Sequence, residues 1–307
     1  MTDSFQRYLR AKKTVDDRAL DRRLVDDLRG ALSARASAAD GPLRVLEVGA
    51  GIGTMVARFV EWEIFPPGEI QYTAIDLQSE NIAEFPRYIS QWADGRPISV
   101  LEGATLTLAG PDRRIELDPT VAEAVDYAGR TDTEYDLVVG AALLDIFDLS
   151  NLEPLLCTLG TDGYYYFPIT FDGGTRFLPT HPADRAVERH YHAHMDAKAG
   201  GESRAGGEAL GRLQRMSGVS VDAAGSDWIV APDEKQYPGD EAYFLRHILT
   251  TIEGVVTETP DGEFDGFAEW LSRRRAQLDA GELVYLTHQL DLFGRVEEPT
   301  AIGSDPA

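Results

Sequence analysis

The feature that most constrains this chain is a glycine-rich turn between an apolar run and an amphipathic segment. Leu43–Val48 has the apolar character of a buried parallel strand, and Thr54–Trp62 carries apolar residues on one helical face. The turn between them contains Gly49, Gly51 and Gly53. Glycines let a backbone approach a ligand closely, and the free N–H groups of a first helical turn point at that ligand. The stretch therefore predicts a corner that binds an anion or a nucleotide.

The spacing of the glycines distinguishes between nucleotide ligands. A dinucleotide fingerprint requires G-x-G-x-x-G, and Thr54 stands where its third glycine would be. Glu47 lies just before the first glycine, and a second predicted strand, Ile70–Ile75, ends in Asp76. A carboxylate at that strand end can accept both hydroxyl hydrogens of a ribose. The motif on its own is also compatible with an ordinary tight turn, and Asp76 favours the ligand site.

The pattern Glu-x-Gly-x-Gly-x-Gly followed by Asp76 resembles motif I of the class I methyltransferases that use S-adenosylmethionine. The resemblance implies that Asp76 holds the ribose and that Glu123 meets the adenine amino group. For the adenine contact, Asp126 is an alternative, and Glu123 as a plain surface carboxylate is another. The implied cofactor residues lie in the glycine motif and at the ends of the following core strands: Glu47, Gly49, Ala50, Gly51, Gly53, Asp76, Leu77, Glu123, Ala124, Gly140 and Ala141.

Predicted strands and helices alternate along the chain, which indicates an α/β fold. The resemblance implies a doubly wound, mostly parallel seven-stranded sheet with helices on both faces, whose last strand runs antiparallel beside the fifth. Leucines at every fourth position predict an N-terminal helical cap in residues 1–40. The methyltransferase domain then spans 41–297, with a helical and loop insertion after strand 5 at about 176–218, and 298–307 is predicted to be a flexible tail.

The predicted fourth strand starts at Tyr135, and its exit loop, Gly140–Asp145, should line the transfer site, because open α/β sheets bind ligands at the carboxyl ends of their strands. Asp145 is predicted to orient the acceptor; a carboxylate at a helix N-terminus is the alternative. The loop reads Gly-Ala-Ala-Leu and lacks the Pro-Pro and Pro-Cys motifs of methyltransferases that act on nucleic-acid bases. The acceptor is therefore predicted to be a small molecule.

The insertion follows a predicted fifth strand, Gly163–Phe171, and a predicted turn at Asp172-Gly173-Gly174. It contains a group of three histidines, His190, His192 and His194. We predict that His194 acts as a proton acceptor, since its ordinary pKa lies near neutrality. Metal binding with Asp196 and a merely exposed helix are the alternatives, but the spacing matches no named metal motif, so no metal site is predicted.

Two further residues of the insertion and one of the last strand are candidates for the site. Asp196 and Arg204 are predicted to contact the substrate, and Arg204 suits a carboxylate or phosphate. His288, in the predicted final strand Glu282–Phe293, is the second catalytic candidate; a satisfied core histidine is the alternative. Strand alternation predicts that His288 and Asp291 point to opposite faces.

Composition excludes several function classes. The net charge of −23 disfavours nucleic-acid partners. No apolar run approaches the ~18 residues of a membrane span. The charged first residues do not form a secretory signal. The single cysteine, Cys157, fits a reducing cytoplasm and, within an apolar run, is predicted to be buried. The expected partner is a small-molecule substrate, and the sequence leaves the oligomeric state open.

The acidic surplus goes with a scarcity of lysine, because Lys12, Lys13, Lys198 and Lys235 are the only lysines. This composition resembles that of proteins from a salt-rich cytoplasm. We therefore expect the melting temperature to rise with molar KCl, which screens repulsion between carboxylates. A melting temperature that stays constant across that range would contradict the habitat hypothesis.

The sequence thus predicts a methyltransferase that uses S-adenosylmethionine as its cofactor and transfers the methyl group in line to a small molecule. A non-catalytic protein that binds the same cofactor is one alternative. An NAD(P)-dependent oxidoreductase is another, which the glycine spacing disfavours.

Overall fold

The computed structural model describes residues 2–38, 41–103, 105–258 and 264–299. Its strands, in chain order, are β1 (Leu43–Val48), β2 (Gly68–Asp76), β3 (Ser99–Glu102), β4 (Leu106–Ala109), β5 (Arg113–Val121), β6 (Tyr135–Val139), β7 (Leu159–Leu178), β8 (Asp222–Gly225), β9 (Trp228–Val230) and β10 (Val284–Val296). Its helices are α1 (Thr2–Ala19), α2 (Arg22–Ala38), α3 (Thr54–Glu61), α4 (Ser79–Ala93), α5 (Ala124–Ala128), α6 (Leu152–Leu156), α7 (Asp184–Ala197), α8 (Ala205–Arg215), α9 (Glu241–Glu258) and α10 (Phe267–Asp279).

The strands form one sheet in the order β3-β4-β5-β2-β1-β6-β7-β10-β8, with β9 paired to β10. β1 pairs in parallel with both β2 and β6, and the parallel region continues to β5 on one side and β7 on the other. The strand order therefore reverses at β1. Ligands of open α/β sheets bind at such a reversal, outside the carboxyl ends of the strands. The glycine turn after β1 and the loop after β6 both lie there.

The predicted α/β architecture is confirmed, but the seven-stranded, mostly parallel sheet is not what the structure shows. The sheet has ten strands and is mixed. The β3–β4 and β4–β5 pairs are antiparallel on one edge. β10 runs antiparallel to β7, β8 and β9 on the other. The pairing of β10 with β7 confirms the antiparallel last strand beside the fifth core strand.

Helices cover both faces of the sheet, as predicted. Alternation along β1 places Val45 and Leu46 on opposite faces. Val45 belongs to a core shared with α1–α4, α9 and α10. Leu46 belongs to a second core shared with α5, α6 and α8. The two cores enclose the parallel strands, which explains their continuous apolar sequences.

The N-terminal segment is helical as predicted, but it breaks at Leu20–Asp21 into α1 and α2. The Asp21 carboxylate accepts a hydrogen bond from the backbone N–H of Leu24 at 2.9 Å, which caps α2. The backbone N–H of Asp21 itself donates to the buried carboxylate of Asp291 at 2.9 Å. The break is therefore held by a residue far along the chain.

The predicted turn at Asp172–Gly174 is wrong, because β7 continues through it to Leu178. Gly173 and Gly174 have φ values of 76° and 80°. The partner strand shifts register between Thr287 and Gln289 at the same level. The glycines thus form a β-bulge, in which a positive φ is tolerated.

Three smaller observations complete the fold. Cys157, predicted to be buried, is exposed. The predicted tail at 298–307 lies, from residue 300 onward, outside the described residues. Within the described ranges, none of the helices combines the length and apolarity needed to cross a membrane.

Candidate active site

The glycine turn has the backbone that its sequence predicts. Gly49, Gly51 and Gly53 have φ values of 69°, 57° and 91°, in the left-handed region that favours glycine. Gly53 is the N-cap of α3, and in the described part of the chain no side chain caps that helix. The first N–H groups of α3 therefore face the carboxyl edge of the sheet, where they can bind a negatively charged or polar ligand group.

Asp76 is joined directly to the glycine turn. Its Oδ2 accepts a hydrogen bond from the backbone N–H of Gly51 at 2.8 Å. Its Oδ1 accepts from the N–H of Gln78 at 2.8 Å and from the Asn81 amide at 3.2 Å. The side chain is nearly buried, with 8% of its surface exposed. Asp76 therefore holds the turn after β1 against the end of β2.

These bonds change the predicted role of Asp76. A carboxylate offers about four acceptor positions, and protein N–H groups use three of those on Asp76. The remaining position, on Oδ2, can accept one ribose hydroxyl. The predicted simultaneous grip on both hydroxyls does not fit this arrangement, because Oδ1 is already saturated by Gln78 and Asn81.

An apolar ledge lies beside Asp76 at the ends of the neighbouring strands. Leu77 is 65% exposed and Val121 is 52% exposed. Asp76 and Val121 are register partners in the parallel pair of β2 and β5. Apolar side chains exposed together at a ligand-binding edge are typical of a surface that a flat apolar group covers. The ledge suits the adenine ring that the resemblance implies.

The other two predicted adenine residues lie just beyond the ledge. Glu123 is exposed and caps α5, since its carboxylate accepts from the N–H of Asp126 at 2.8 Å. Ala124 is the first residue of that helix. Glu123 is thus a surface carboxylate that caps a helix, and its contact with adenine stays a prediction.

The loop after β6 forms the opposite wall. The N–H of Gly140 bonds to the carbonyl of Tyr166 on β7 at 3.1 Å. A Cβ on Gly140 would lie 2.5 Å from a Leu143 methyl carbon, so the Leu143 side chain would have to move to admit a larger residue. Ala141 follows and packs partly against the core. Asp145 ends the loop, and its Oδ1 is enclosed without a hydrogen-bond partner in the described residues.

Glu47 lies beneath the turn, with 2% of its surface exposed. The Tyr72 hydroxyl donates to its carboxylate at 2.6 Å. Burial raises the pKa of Glu47 to about 8, although the Tyr72 bond and the charge of Arg58 oppose that rise. Glu47 thus supports the glycine turn from within the core.

The raised pKa makes stability depend on pH. The folded chain keeps the Glu47 proton up to about pH 8, whereas the unfolded chain releases it near its ordinary pKa. Wild-type stability should therefore fall as pH rises between these two values. Glu47→Gln mimics the protonated acid, so we expect it to be more stable than wild type by on the order of 4 kcal/mol at pH 8 and equally stable at acidic pH.

Urea unfolding at several pH values measures this difference. Glu61→Gln is the matched control, because Glu61 pairs with Lys13 and Arg96 and its loss should destabilise the fold at neutral pH. A stability difference between wild type and Glu47→Gln that is constant with pH would contradict the buried acid.

The N-terminal helix lies directly over the turn. A Cβ on Gly51 would lie 3.2 Å from a methyl carbon of Leu9. The Gln6 amide donates to Asn81 at 2.9 Å, and Asn81 in turn donates to Asp76. Gln6, Leu9 and Asn81 are neighbours of the site that no sequence pattern indicated. Of these three residues, only Asn81 has a local signal in the sequence, because it follows Asp76 closely along the chain.

The three histidines of α7 do not converge. His190 bonds to the carbonyl of Ala186 and stacks on the ring of Phe264. The His192 ring lies 3.1 Å from the Thr175 hydroxyl, and burial lowers its pKa. Within the described chain, no group of three metal-ligating side chains is close enough to hold an ion. His194 lies in the last turn of α7, on the same side as Tyr191.

His288 contacts two acidic side chains that lie outside the glycine turn. It is exposed, pairs with Asp227 at 2.7 Å and lies 3.9 Å from Asp172. The alternative of a satisfied core histidine is therefore wrong for His288, while the prediction that it points away from Asp291 is confirmed. Its catalytic role stays a prediction. Asp291 is fully buried and accepts from the N–H of Ile169 at 2.8 Å. The polar face of β10, with Thr287, Gln289 and Asp291, is the buried one, and the backbone N–H groups of Asp21 and Ile169 satisfy Asp291.

Asp196 and Arg204 shape the connection between α7 and α8. The Asp196 carboxylate accepts from the N–H of Ser203 at 2.7 Å. Arg204 is exposed, and its backbone N–H bonds to Glu202. The N–H of Glu202 bonds to the carbonyl of Asp145 at 3.1 Å. The connection therefore touches the loop after β6, and substrate contact by Asp196 and Arg204 stays a prediction.

A cleft of about 370 Å³ lies elsewhere, lined by Trp92, Arg96, Ile98 and Ile115 among others. It lies beside the start of β5 and the C-terminal ends of α3 and α4. This is the edge opposite the glycine turn. Since open α/β sheets bind their ligands at the carboxyl edge, we assign the functional site to the turn and not to this cleft.

No protein-family model and no curated protein matches the chain. Cofactor-bound Rv0187 from MTB aligns with 96% of this chain and 90% of its own at 10% identity, with a TM-score of 0.43. A SAM-dependent methyltransferase from Geobacter sulfurreducens in complex with S-adenosyl-L-homocysteine aligns with 91% and 92% at 14% identity, with a TM-score of 0.42. The plantazolicin methyltransferase BamL aligns with 97% and 98% at 12% identity, with a TM-score of 0.39. Likenesses this distant carry no argument, and the site rests on its own geometry.

Proposed function

We propose that this chain is a methyltransferase that uses S-adenosylmethionine and acts on a small molecule. The observation that carries the proposal is the hydrogen bond between the Gly51 N–H and the Asp76 carboxylate. It joins the two motif residues at the point where the strand order reverses, which is where a doubly wound sheet binds its ligand.

The side chains around this bond suit the parts of the donor. The ledge of Leu77 and Val121 offers an apolar surface to adenine. The free acceptor position of Asp76 suits one ribose hydroxyl, and the uncapped start of α3 suits the carboxylate of the amino-acid part. When bound, the donor supplies a methyl group on a positively charged sulfur, already activated for transfer.

Because the donor is activated, the chain mainly has to hold the acceptor in line. Such positioning contributes up to roughly 7–11 kcal/mol in well-oriented systems. The loop from Gly140 to Asp145 lies beside the turn at the same edge of the sheet and is the natural wall for the acceptor. A small acceptor fits because α1 closes over this edge, with Leu9 against the turn.

Two measurements on the wild-type protein test the proposal. Calorimetry should show binding of S-adenosylhomocysteine and none of NAD, which separates the proposal from an oxidoreductase. Methyl-labelled donor should then transfer its label to a compound in the dialysable fraction of a cell extract. Binding without transfer would favour a non-catalytic cofactor-binding protein, and binding of NAD alone would overturn the proposal.

A further inference from the structure

An enclosed polar atom without a hydrogen-bond partner in the described residues lies at the end of the loop after β6, beside the proposed donor site: the Oδ1 of Asp145. Buried polar groups are normally paired, so this atom indicates a ligand that pairs it. A tyrosine cluster accompanies it, defined as Tyr8 on α1, Tyr191 on α7 and Tyr285 on β10. Tyr8 and Tyr191 are half-buried, and Tyr285 is buried.

Contacts place the cluster in one region. Tyr8 stacks on Phe244 with ring centroids 5.5 Å apart, and Tyr285 lies 6.3 Å from the same ring. Burial, and the neighbouring Tyr191 and Tyr8, raise the pKa of Tyr285. Burial and the Asp145 charge raise the pKa of Tyr191 to about 12. Tyr8 and Tyr285 therefore border the same aromatic ring, and the charges of Asp145 and Tyr191 act on this cluster.

The charges of this space select among acceptors. Lys12, the nearby cation, is already neutralised by Asp16 at 2.7 Å and lies over the Trp228 ring. An acceptor with a carboxylate or phosphate would meet the Asp145 charge, and Lys12, already paired with Asp16, would not offset that repulsion. Aromatic walls and a carboxylate instead favour a neutral or positively charged group.

We propose that the tyrosine cluster and Asp145 line an acceptor chamber, in which Asp145 takes the proton of a small amine or alcohol that carries no anionic group. This rests on the proposed function. The acceptor's nitrogen or oxygen forms a bond to the methyl carbon, and its proton passes to the Asp145 carboxylate. The carbon–sulfur bond breaks, and its electron pair stays on the sulfur.

The protonation of Asp145 suits this role. Burial raises the pKa of Asp145 to about 6. The backbone N–H of Asp145 and the charge of Lys12 lower this pKa, but by less. Lys12, Tyr8 and Tyr191 are the titratable neighbours, from α1 and α7. Above that pH the carboxylate is free to accept a proton, so transfer should slow as the pH falls through about 6.

The test compares Asp145→Asn with wild type, using methyl-labelled donor and the dialysable fraction of a cell extract. We expect the maximum rate to fall by about 100-fold or more. The labelled product should bind to a cation exchanger if the acceptor is an amine. If the acceptor is an alcohol, the product should bind to neither a cation exchanger nor an anion exchanger. Tyr191→Phe should raise the half-saturating amount of extract by about tenfold and largely keep the maximum rate. Asp148→Asn, an exposed carboxylate in the same loop, is the matched control.

Two readouts do not depend on transfer. The affinity for S-adenosylhomocysteine should be equal in wild type and Asp145→Asn. A wild-type protein that does not bind this ligand would refute the proposed function itself. Carboxyl-carbon NMR should show Asp145 titrating near pH 6, well above Asp148. The inference is overturned if Asp145→Asn keeps its rate within tenfold of wild type or if the labelled product is anionic. It is also overturned if Asp145 titrates like Asp148, or if the wild-type protein binds S-adenosylhomocysteine but labels no compound.

Discussion

Gly51→Val should reduce the affinity for S-adenosylhomocysteine by about 100-fold or more, equivalent to ~3 kcal/mol. Gly51 has a φ of 57°, which costs a non-glycine residue ~1–2 kcal/mol. Its Cβ would lie 3.2 Å from Leu9, so the added methyl groups fill the space between the turn and α1. The donor would lose the close approach to the backbone that the glycine allows.

Calorimetry measures the affinity, and thermal unfolding shows that the variant is folded. Gly30→Val is the matched control, because Gly30 lies in α2 and its added Cβ meets nothing within 4 Å. Wild-type affinity in a folded Gly51→Val protein would contradict the assignment of the donor site to this turn.

Arg58→Met should destabilise the fold by about 3 kcal/mol. Arg58 is 1% exposed on α3, and its guanidinium lies 2.5 Å from the Asp17 carboxylate and 3.8 Å from that of Asp16. Removing this cation leaves two carboxylates of α1 under-compensated near the core, although Lys12 and Lys13 still pair with them. The substitution should therefore loosen the helix that covers the donor site.

Denaturant unfolding measures the effect. Arg23→Met is the control: Arg23 pairs with Asp27 on the surface, and its loss should change stability by at most ~0.5 kcal/mol. Adding Asp17→Asn to Arg58→Met should recover part of the loss, since it removes one uncompensated charge. Equal stability of Arg58→Met and wild type would contradict the proposed anchoring of α1.

Local features of the site could be predicted from the sequence. The turn with Gly49, Gly51 and Gly53 lies between a strand and a helix at the predicted positions, because a glycine backbone and its flanking periodicities are local properties. Asp76 also lies where the strand pattern placed it. The break at Asp21 could not be predicted, because it depends on the carboxylate of Asp291, which belongs to the last strand.

Residues whose roles depend on distant partners were missed or misjudged. Alternation in β10 correctly separated His288 from Asp291, but the buried face is the polar one, and the donors that satisfy Asp291 come from the distant residues Asp21 and Ile169. The tyrosine cluster draws one residue each from α1, α7 and β10. No local pattern can join positions so far apart in the chain.

The most direct test of the central claim, that the glycine turn holds the donor, is a crystal structure with S-adenosylhomocysteine. We expect the adenine on the ledge of Leu77 and Val121, a ribose hydroxyl on Asp76, and the amino-acid part at the start of α3. A ligand bound elsewhere, such as in the cleft beside Trp92, or a turn that holds NAD instead, would contradict the account.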